Sequence, residues 1–130
     1  MSAISNHDLG YAQVYIFQNY LINQINDGVN VGMEHVEVLR DMITEHFGNR
    51  KMVYISNRTN SYSVNPLVYP LVGRIRNLEG MAIVTNSRLN IQNANFEKVF
   101  YHKHFEIFQT MDEAIVWATE LISSADVLTI

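Results

Sequence analysis

The polar segment 56–65 contains the residues of this 130-residue chain best suited to binding chemistry. It follows a short apolar run and ends at Asn65-Pro66, a pair typical of a helix N-cap followed by proline at the first helical position. A helix N-terminus has unpaired N–H groups and partial positive charge, which suit a phosphate or a carboxylate. Alternatively, these Asn and Ser residues only cap the helix and close the loop. The candidate binding residues are Asn57, Arg58, Ser61, Tyr62 and Ser63.

The other reactive residue types do not form a recognisable catalytic or metal-binding pattern. His102 and His104 are two residues apart, but zinc needs three or four ligands and no second pair has a suitable spacing. Cysteine is absent, which excludes thiolate ligands, disulfides and a cysteine nucleophile. The Gly-x-Ser-x-Gly elbow and the glycine patterns of phosphate and dinucleotide loops are also missing. We therefore predict no catalytic residue and no metal site.

The first half of the chain predicts two strands, a helix and a third strand. Residues 11–17 alternate and, like residues 20–25, are rich in aromatic and β-branched types, so we predict two strands joined by a turn. Apolar residues three and four apart over 33–47 predict an amphipathic helix that ends at Gly48-Asn49. The apolar run 51–55 then predicts a strand that is buried on both faces.

Helices and short strands also alternate in the second half. We predict a helix from Asn65-Pro66 to Leu78, shortened or distorted by Pro70. Strands are expected at 80–84 and 105–108, and the capping box Thr110-Met-Asp-Glu113 begins the last helix. A further helix is predicted over 87–100. Its apolar positions are Leu89, Phe96, Val99 and Phe100.

This order of elements predicts an α/β fold with a single mixed β-sheet flanked by helices. We expect one domain over 1–130, with frayed ends at 1–10 and 124–130. Nine Lys+Arg against thirteen Asp+Glu lack the basic excess of a nucleic-acid binder. Because no apolar run approaches about 18–20 residues and no secretory signal pattern is present, we expect no membrane insertion and a cytoplasmic location.

Four segments, together with the order of elements, resemble the SpoIIAA-like branch of STAS-type proteins, small bacterial domains related to anti-sigma-factor antagonists. The segments are 47–58, 62–66, 81–84 and 105–117, and the likeness spans about residues 11–123. The resemblance implies a mixed sheet flanked by helices, no cofactor and no catalysis. It also implies a role in protein contact or in binding a small ligand.

In the antagonists that this chain resembles, a serine in an Asp-Ser-Ser/Thr-Gly motif is phosphorylated by a partner kinase. The corresponding segment here reads Ser56-Asn-Arg-Thr-Asn-Ser-Tyr-Ser63 and lacks that motif. Ser61 and Ser63 lie in the corresponding neighbourhood without matching it residue by residue. We keep both as candidate phosphorylation sites, because a phosphate on Ser63 would lie near a helix start and Arg58.

Three functions remain open. We favour a non-enzymatic regulatory or protein-interaction domain that contacts an unknown protein partner through residues 56–66 and the adjoining helix. The first alternative is a carrier or sensor of a small apolar or anionic molecule, because the family also resembles lipid-binding CRAL-TRIO domains. Its pocket would lie between sheet and helices and be lined by Tyr62, Leu71, Phe96 and Phe100. The second alternative is a hydrolase, which would need a histidine or carboxylate beside Ser61 or Ser63.

We also expect a homodimer, on the basis of the aromatic residues in the first two predicted strands. So small a core cannot bury all of them, and exposed apolar patches tend to mark contacts. The residues concerned are Tyr11, Tyr15, Phe17 and Tyr20.

Overall fold

The computed structural model describes residues 3–128, with side chains described over 3–125. The strands are β1 (Ser5–Asp8), β2 (Ala12–Ile16), β3 (Tyr20–Ile25), β4 (Asn30–Val31), β5 (Met52–Asn57), β6 (Ser63–Val64), β7 (Leu78–Val84) and β8 (His104–Phe108). The helices are α1 (Met33–Phe47), α2 (Val68–Val72), α3 (Arg88–Lys98) and α4 (Met111–Leu128). The helix predicted over 33–47 has the bounds of α1, and Gly48 ends it with a positive φ of 58°.

Six of the strands form one mixed sheet in the order β1-β2-β3-β5-β7-β8. The pairs β1–β2 and β2–β3 are antiparallel, whereas β3, β5, β7 and β8 pair in parallel. Helix α1 connects β3 to β5, α2 connects β5 to β7, and α3 connects β7 to β8. Each connection moves the chain one strand further in the same direction across the sheet. Right-handed crossovers therefore place these three helices on one face. The predicted single mixed sheet flanked by helices is confirmed.

The central strand β5 separates two layers of core. Its side chains Met52 and Tyr54 pack in the cluster that includes α1, α2 and α3. Val53 and Ile55 point the other way and pack against α4. The prediction of a strand buried on both faces is thus confirmed. Because β5 is covered on every side, its position in the fold is fixed. The position at which the following residues begin is therefore fixed as well.

Two short strands that the sequence does not predict hold the segment after β5. In β4 and β6, Asn30 pairs with Ser63 and Val31 pairs with Val64, in parallel. This second sheet ties the chain just before α1 to the chain just before α2. Strands of two residues are too short to show an alternating pattern.

The helix predicted from Asn65-Pro66 to Leu78 is much shorter in the structure. Helix α2 covers only five residues, and Leu78 begins β7 instead. The Asn65 side chain accepts a hydrogen bond from the backbone N–H of Leu67 at 3.1 Å, so it closes a turn ahead of the helix. Pro70 lies within α2, in its first turn, where its missing N–H costs no helical hydrogen bond.

Described residues near both chain ends lie in regular secondary structure. Residues 5–8 form the edge strand β1 rather than a frayed terminus. Helix α4 continues to Leu128, and the predicted N-cap role of Thr110 is confirmed, since its hydroxyl oxygen accepts from the Glu113 backbone N–H at 3.3 Å. Residues 1–2 and 129–130 lie outside the described residues. No described helix, α4 included, is long and apolar enough to cross a membrane.

The aromatic residues that prompted the homodimer prediction do not form an exposed patch. Tyr20 belongs to the core, and the Phe17 ring stacks on it with centroids 4.7 Å apart. Tyr11 and Tyr15 are half-buried. The stated reason for the dimer is therefore wrong, although the oligomeric state itself stays a prediction.

Candidate functional site

A buried ion pair lies where β5 ends. The chain turns after Asn57, and the Arg58 side chain points into the fold, where only 3% of it is exposed. Its guanidinium donates to the Glu97 carboxylate of α3 through both terminal nitrogens, from Nη1 to Oε2 at 3.2 Å and from Nη2 to Oε1 at 2.9 Å. Such two-pronged pairing satisfies both groups geometrically. The pair joins the central strand to α3.

Three hydroxyl side chains extend this ion pair into a hydrogen-bonded network. Arg58 Nε donates to the Tyr62 hydroxyl at 2.9 Å, and the guanidinium lies over the Tyr62 ring, 4.7 Å from its centroid. The Ser56 and Tyr62 hydroxyls are 2.9 Å apart. The Tyr69 hydroxyl of α2 donates to Glu97 Oε1. The cluster Ser56, Arg58, Tyr62, Tyr69 and Glu97 is therefore a connected network, as buried polar groups require.

Burial and charge set the protonation of this network. Burial opposes the charge of Arg58, but Tyr62 and Glu97 outweigh that effect and hold its pKa above the ordinary value. Burial, reinforced by the Glu97 carboxylate, raises the pKa of Tyr69. At neutral pH Arg58 is therefore a cation and Tyr69 is a neutral hydrogen-bond donor.

The predicted binding residues occupy one region but do not converge on an anion site. Arg58 is already neutralised by Glu97, so its charge is not free for a phosphate. Ser61 is exposed, and its backbone N–H donates to the Asp27 carboxylate at 2.7 Å. A phosphate on Ser61 would therefore meet a negative charge. The Ser63 hydroxyl donates to the Asn30 side chain, and Asn57 Nδ2 donates to Gln24 Oε1 at 3.3 Å.

The arrangement required for a hydrolase is missing from the described residues. Within residues 3–125, no histidine or carboxylate forms a hydrogen bond with the hydroxyl of Ser61 or Ser63. No group of three or more potential metal-ligating side chains is found in the same part of the chain. His104 lies in β8, but His102 precedes that strand, so the two do not share a strand face.

A cavity of about 70 Å³ lies between the sheet and helices α1 and α2. Of the residues predicted to line such a pocket, Tyr62 does so, whereas Leu71, Phe96 and Phe100 do not. The prediction was wrong on these three because the cavity lies farther toward β3 and α1 than expected. The polar lining residues are Tyr11, Asn23, His35, Tyr54, Ser56, Arg58, Tyr62 and Tyr69.

The inner wall of the cavity contains an incompletely paired amide. Asn23 on β3 is 8% exposed, and its Nδ2 donates to the Tyr54 hydroxyl at 3.0 Å. Its Oδ1 is buried and has no hydrogen-bond partner among the described residues. Burial raises the pKa of Tyr54, so its hydroxyl stays protonated at neutral pH.

Helix α3 turns a different face to the core from the one predicted for it. The buried residues are Asn90, Ala94 and Glu97, at helical spacings of four and three. Leu89, Phe96 and Val99, predicted to face the core, are 59%, 61% and 74% exposed. The sequence does contain the buried stripe, but its residues are polar or small. Hydrophobic periodicity therefore selects the wrong face of α3. The face that is buried contains Glu97, whose carboxylate pairs with Arg58.

Comparison with known proteins identifies the fold alone. No family model matches the chain, and no curated protein matches it. The crystal structure of an uncharacterized protein from the DUF3478 family, from Shewanella loihica PV-4, is similar with a TM-score of 0.57 and 15% identity. The match covers 91% of this chain and 98% of that one, which is described as having a SpoIIAA-like fold. The SpoIIAA-like fold predicted from the sequence is confirmed.

Proposed function

We propose that this chain is a non-enzymatic regulatory domain that acts by binding another protein. The contact surface consists of the outer side of α3 and the exposed part of the loop that follows β5, including Ser61 and Ser63. The observation that carries the proposal is the orientation of α3, which turns Leu89 and Phe96 to solvent while Asn90 and Glu97 are buried. A surface helix normally turns its apolar stripe to the core.

Three exposed apolar residues lie along one side of α3 and its C-cap. Leu89 and Phe96 are seven residues apart, close to two full turns, and Val99 follows three residues later. The Phe96 ring also packs edge-on against Phe100, with centroids 5.4 Å apart. Single exposed apolar residues are ordinary, but a contiguous group tends to mark a contact site. Burying each such side chain would contribute about 1.5–3 kcal/mol.

The buried ion pair gives this surface a fixed orientation. Glu97 holds α3 to Arg58, and the Asn90 side chain donates to the backbone carbonyl of Arg58 at 3.4 Å. The helix and the loop therefore form one rigid unit, and a rigid surface loses less entropy on binding than a flexible one. The proposal does not depend on phosphorylation of Ser61 or Ser63, because Arg58 is already paired with Glu97.

The fold and the composition support this function. The likeness to a SpoIIAA-like structure agrees with a small domain without a cofactor. The absence of cysteine agrees with work in a reducing compartment, and we place the protein in the cytoplasm on that ground. The partner is another protein, and self-association is a separate outcome of the test.

The test uses a double variant and a matched control. Phe96→Ser/Val99→Ser removes the most exposed apolar residue of α3 and the exposed valine at its C-cap. Val116→Ser removes an exposed valine from α4 on the opposite face of the sheet, where it is 56% exposed against 61% for Phe96. Each protein is immobilised, partners are captured from the source organism, and the captured protein is then purified and mixed back. We expect wild type and V116S to bind it and the double variant to lose binding.

Two results would count against the proposed surface. Equal binding by all three proteins would place the contact elsewhere. A wild-type dimer in light scattering that the double variant converts to monomer would instead assign this surface to a second copy of the chain. Circular dichroism of each variant establishes that it is folded.

A further inference from the structure

We infer that the cavity between the sheet and helices α1 and α2 binds a small neutral molecule with a hydrogen-bond donor and acceptor side by side, such as a primary carboxamide or an alcohol. This goes beyond the proposed protein contact, since the cavity is lined by neither Phe96 nor Val99. The site is defined by Asn23 and Tyr54, two buried side chains on neighbouring strands.

The polar end of the cavity has unused hydrogen-bonding capacity. Asn23 Oδ1 is buried, lies in the cavity wall and has no partner within residues 3–125. The Tyr54 hydroxyl accepts from Asn23 Nδ2 and makes no other hydrogen bond to the described residues. Buried polar atoms are nearly always paired, because an unpaired one loses its hydration without compensation. An acceptor and a donor therefore lie side by side, and no described side chain or backbone group satisfies them.

The chemistry of the complementary group does not depend on which way the amide is turned. With Nδ2 toward Tyr54, the free groups are the Asn23 oxygen and the tyrosine O–H. With the amide reversed, they are an Asn23 N–H and a lone pair of the tyrosine oxygen. Each arrangement leaves one donor and one acceptor. A primary carboxamide or a hydroxyl group can satisfy both at once, whereas a ketone only accepts.

The electrostatics of the lining favour a neutral ligand. The cation in the wall, Arg58, is paired with Glu97 through two hydrogen bonds, so it offers little net charge to an anion. A carboxylate only accepts hydrogen bonds, so in either orientation of the amide it would leave the free acceptor of the Asn23–Tyr54 pair facing another acceptor. His35 lies at the half-buried rim of the cavity, where its Nδ1 accepts from the Gly32 N–H at 2.8 Å. The anionic ligand considered from the sequence fits this lining poorly.

The remaining walls and the volume limit the size of the ligand. At about 70 Å³ the cavity is roughly half the size of the ~150 Å³ apolar cavity that admits benzene, so a ligand enclosed in it must be smaller than benzene, with fewer than six non-hydrogen atoms. Half-buried residues of the lining mark where the cavity approaches solvent, near Leu9, Tyr11 and Val31. The apolar walls include Val14, Ile25, Val36, Met42, Val68, Met81 and Ile83.

Three probes of matched size test the inference on the full chain. Propionamide donates and accepts, butan-2-one only accepts, and propionate is an anion. Each is titrated against isotope-labelled protein while backbone amide shifts are followed by NMR. We expect saturable shifts around Asn23, Tyr54 and Val36, with propionamide bound about tenfold more tightly than either other probe. Absence of saturable shifts at these residues, or propionate binding as tightly as propionamide, would overturn the inference.

A variant pair isolates the contribution of the amide. Asn23→Leu keeps a similar volume but removes both polar atoms, so we expect it to bind propionamide no better than butan-2-one. Asn6→Leu, the same substitution at an exposed position of β1 outside the cavity lining, should keep the preference. A preference that survives in N23L would contradict the assigned role of Asn23. If N23L does not fold, the three-probe series on the wild-type chain decides the question alone.

Discussion

Arg58 and Glu97 are 39 residues apart in the sequence and nearly inaccessible in the fold. Taking both charges out of water is costly, and their mutual attraction offsets that cost only while both are present. The Tyr62 hydroxyl accepts from Arg58 and the Tyr69 hydroxyl donates to Glu97, while Ser56 bonds to Tyr62. The pair therefore contributes more to the position of α3 than to net stability.

We predict that Arg58→Met destabilises the protein by about 3–5 kcal/mol, because it leaves the Glu97 carboxylate buried without its cation. The double variant Arg58→Met/Glu97→Leu should recover most of that loss, since it removes both charges. Urea unfolding of the three proteins measures the free energies. A single variant that loses less than about 1 kcal/mol would mean that the pair is more hydrated than the structure shows.

At the residue scale, the sequence predicts where the polar cluster begins but not what its members do. Asn57, Arg58 and Tyr62 stand out because polar residues follow a buried strand. Arg58 was expected to face an incoming anion. Its actual partner lies on a helix predicted to turn apolar residues inward, so no local spacing points to Glu97. Asn23 also escapes notice, because one Asn in an apolar strand carries no pattern.

At the element scale, the contact between β7 and α4 depends on the absence of a side chain at Gly80. A Cβ there would lie 2.8 Å from Leu121 Cδ2 and 3.1 Å from both Trp117 and the His104 Cβ. Leu121 and Trp117 belong to α4, which covers this face of the sheet. Gly80 therefore sets how closely that helix approaches.

We expect Gly80→Ala to destabilise the protein by about 1–3 kcal/mol through overpacking. The control is Gly73→Ala, where the backbone is helical and the nearest atom to a new Cβ, the Tyr69 carbonyl oxygen, is at 3.4 Å. That change should be neutral or stabilising by up to about 1 kcal/mol. Thermal and urea unfolding of both variants measure the difference, and equal effects would contradict the close packing of α4.

The bounds of the elements follow from the sequence where apolar spacing and end signals agree. Helix α1 has a regular stripe and a glycine stop, and its predicted bounds match. The predicted end of the helix after Asn65-Pro66 is wrong because Leu78 fits a helical stripe and a strand equally well. Helix α3 is placed correctly but rotated, since a buried polar stripe gives no hydrophobic period.

At the scale of the whole molecule, three buried tyrosines make the fold sensitive to alkali. Burial raises the pKa of Tyr54, Tyr69 and Tyr101 above the ordinary value of 10.0. The folded state therefore holds more protons than the unfolded state once the pH exceeds that value. Under proton linkage, the free energy of unfolding must then fall as pH rises. Lys103, whose burial lowers its pKa, acts in the opposite sense but is a single, partly exposed group.

We predict that stability is nearly constant from pH about 8 to about 9.5 and decreases steadily above about 10. Urea unfolding across this range, with tyrosinate absorbance followed in parallel, measures both quantities. The buried tyrosines should ionise together with unfolding rather than before it. Their ionisation in a protein that stays folded at its full stability would contradict the burial described for them.

The central claim is that α3 presents a protein-binding surface because its polar residues are used inside the fold. The most direct measurement is the dissociation constant of the purified partner for wild type, Phe96→Ser/Val99→Ser and Val116→Ser. Residues at the centre of an interface commonly cost more than 1 kcal/mol each when truncated. We therefore predict at least about a tenfold weakening for the double variant and no change for V116S. Equal constants for all three proteins would contradict the claim.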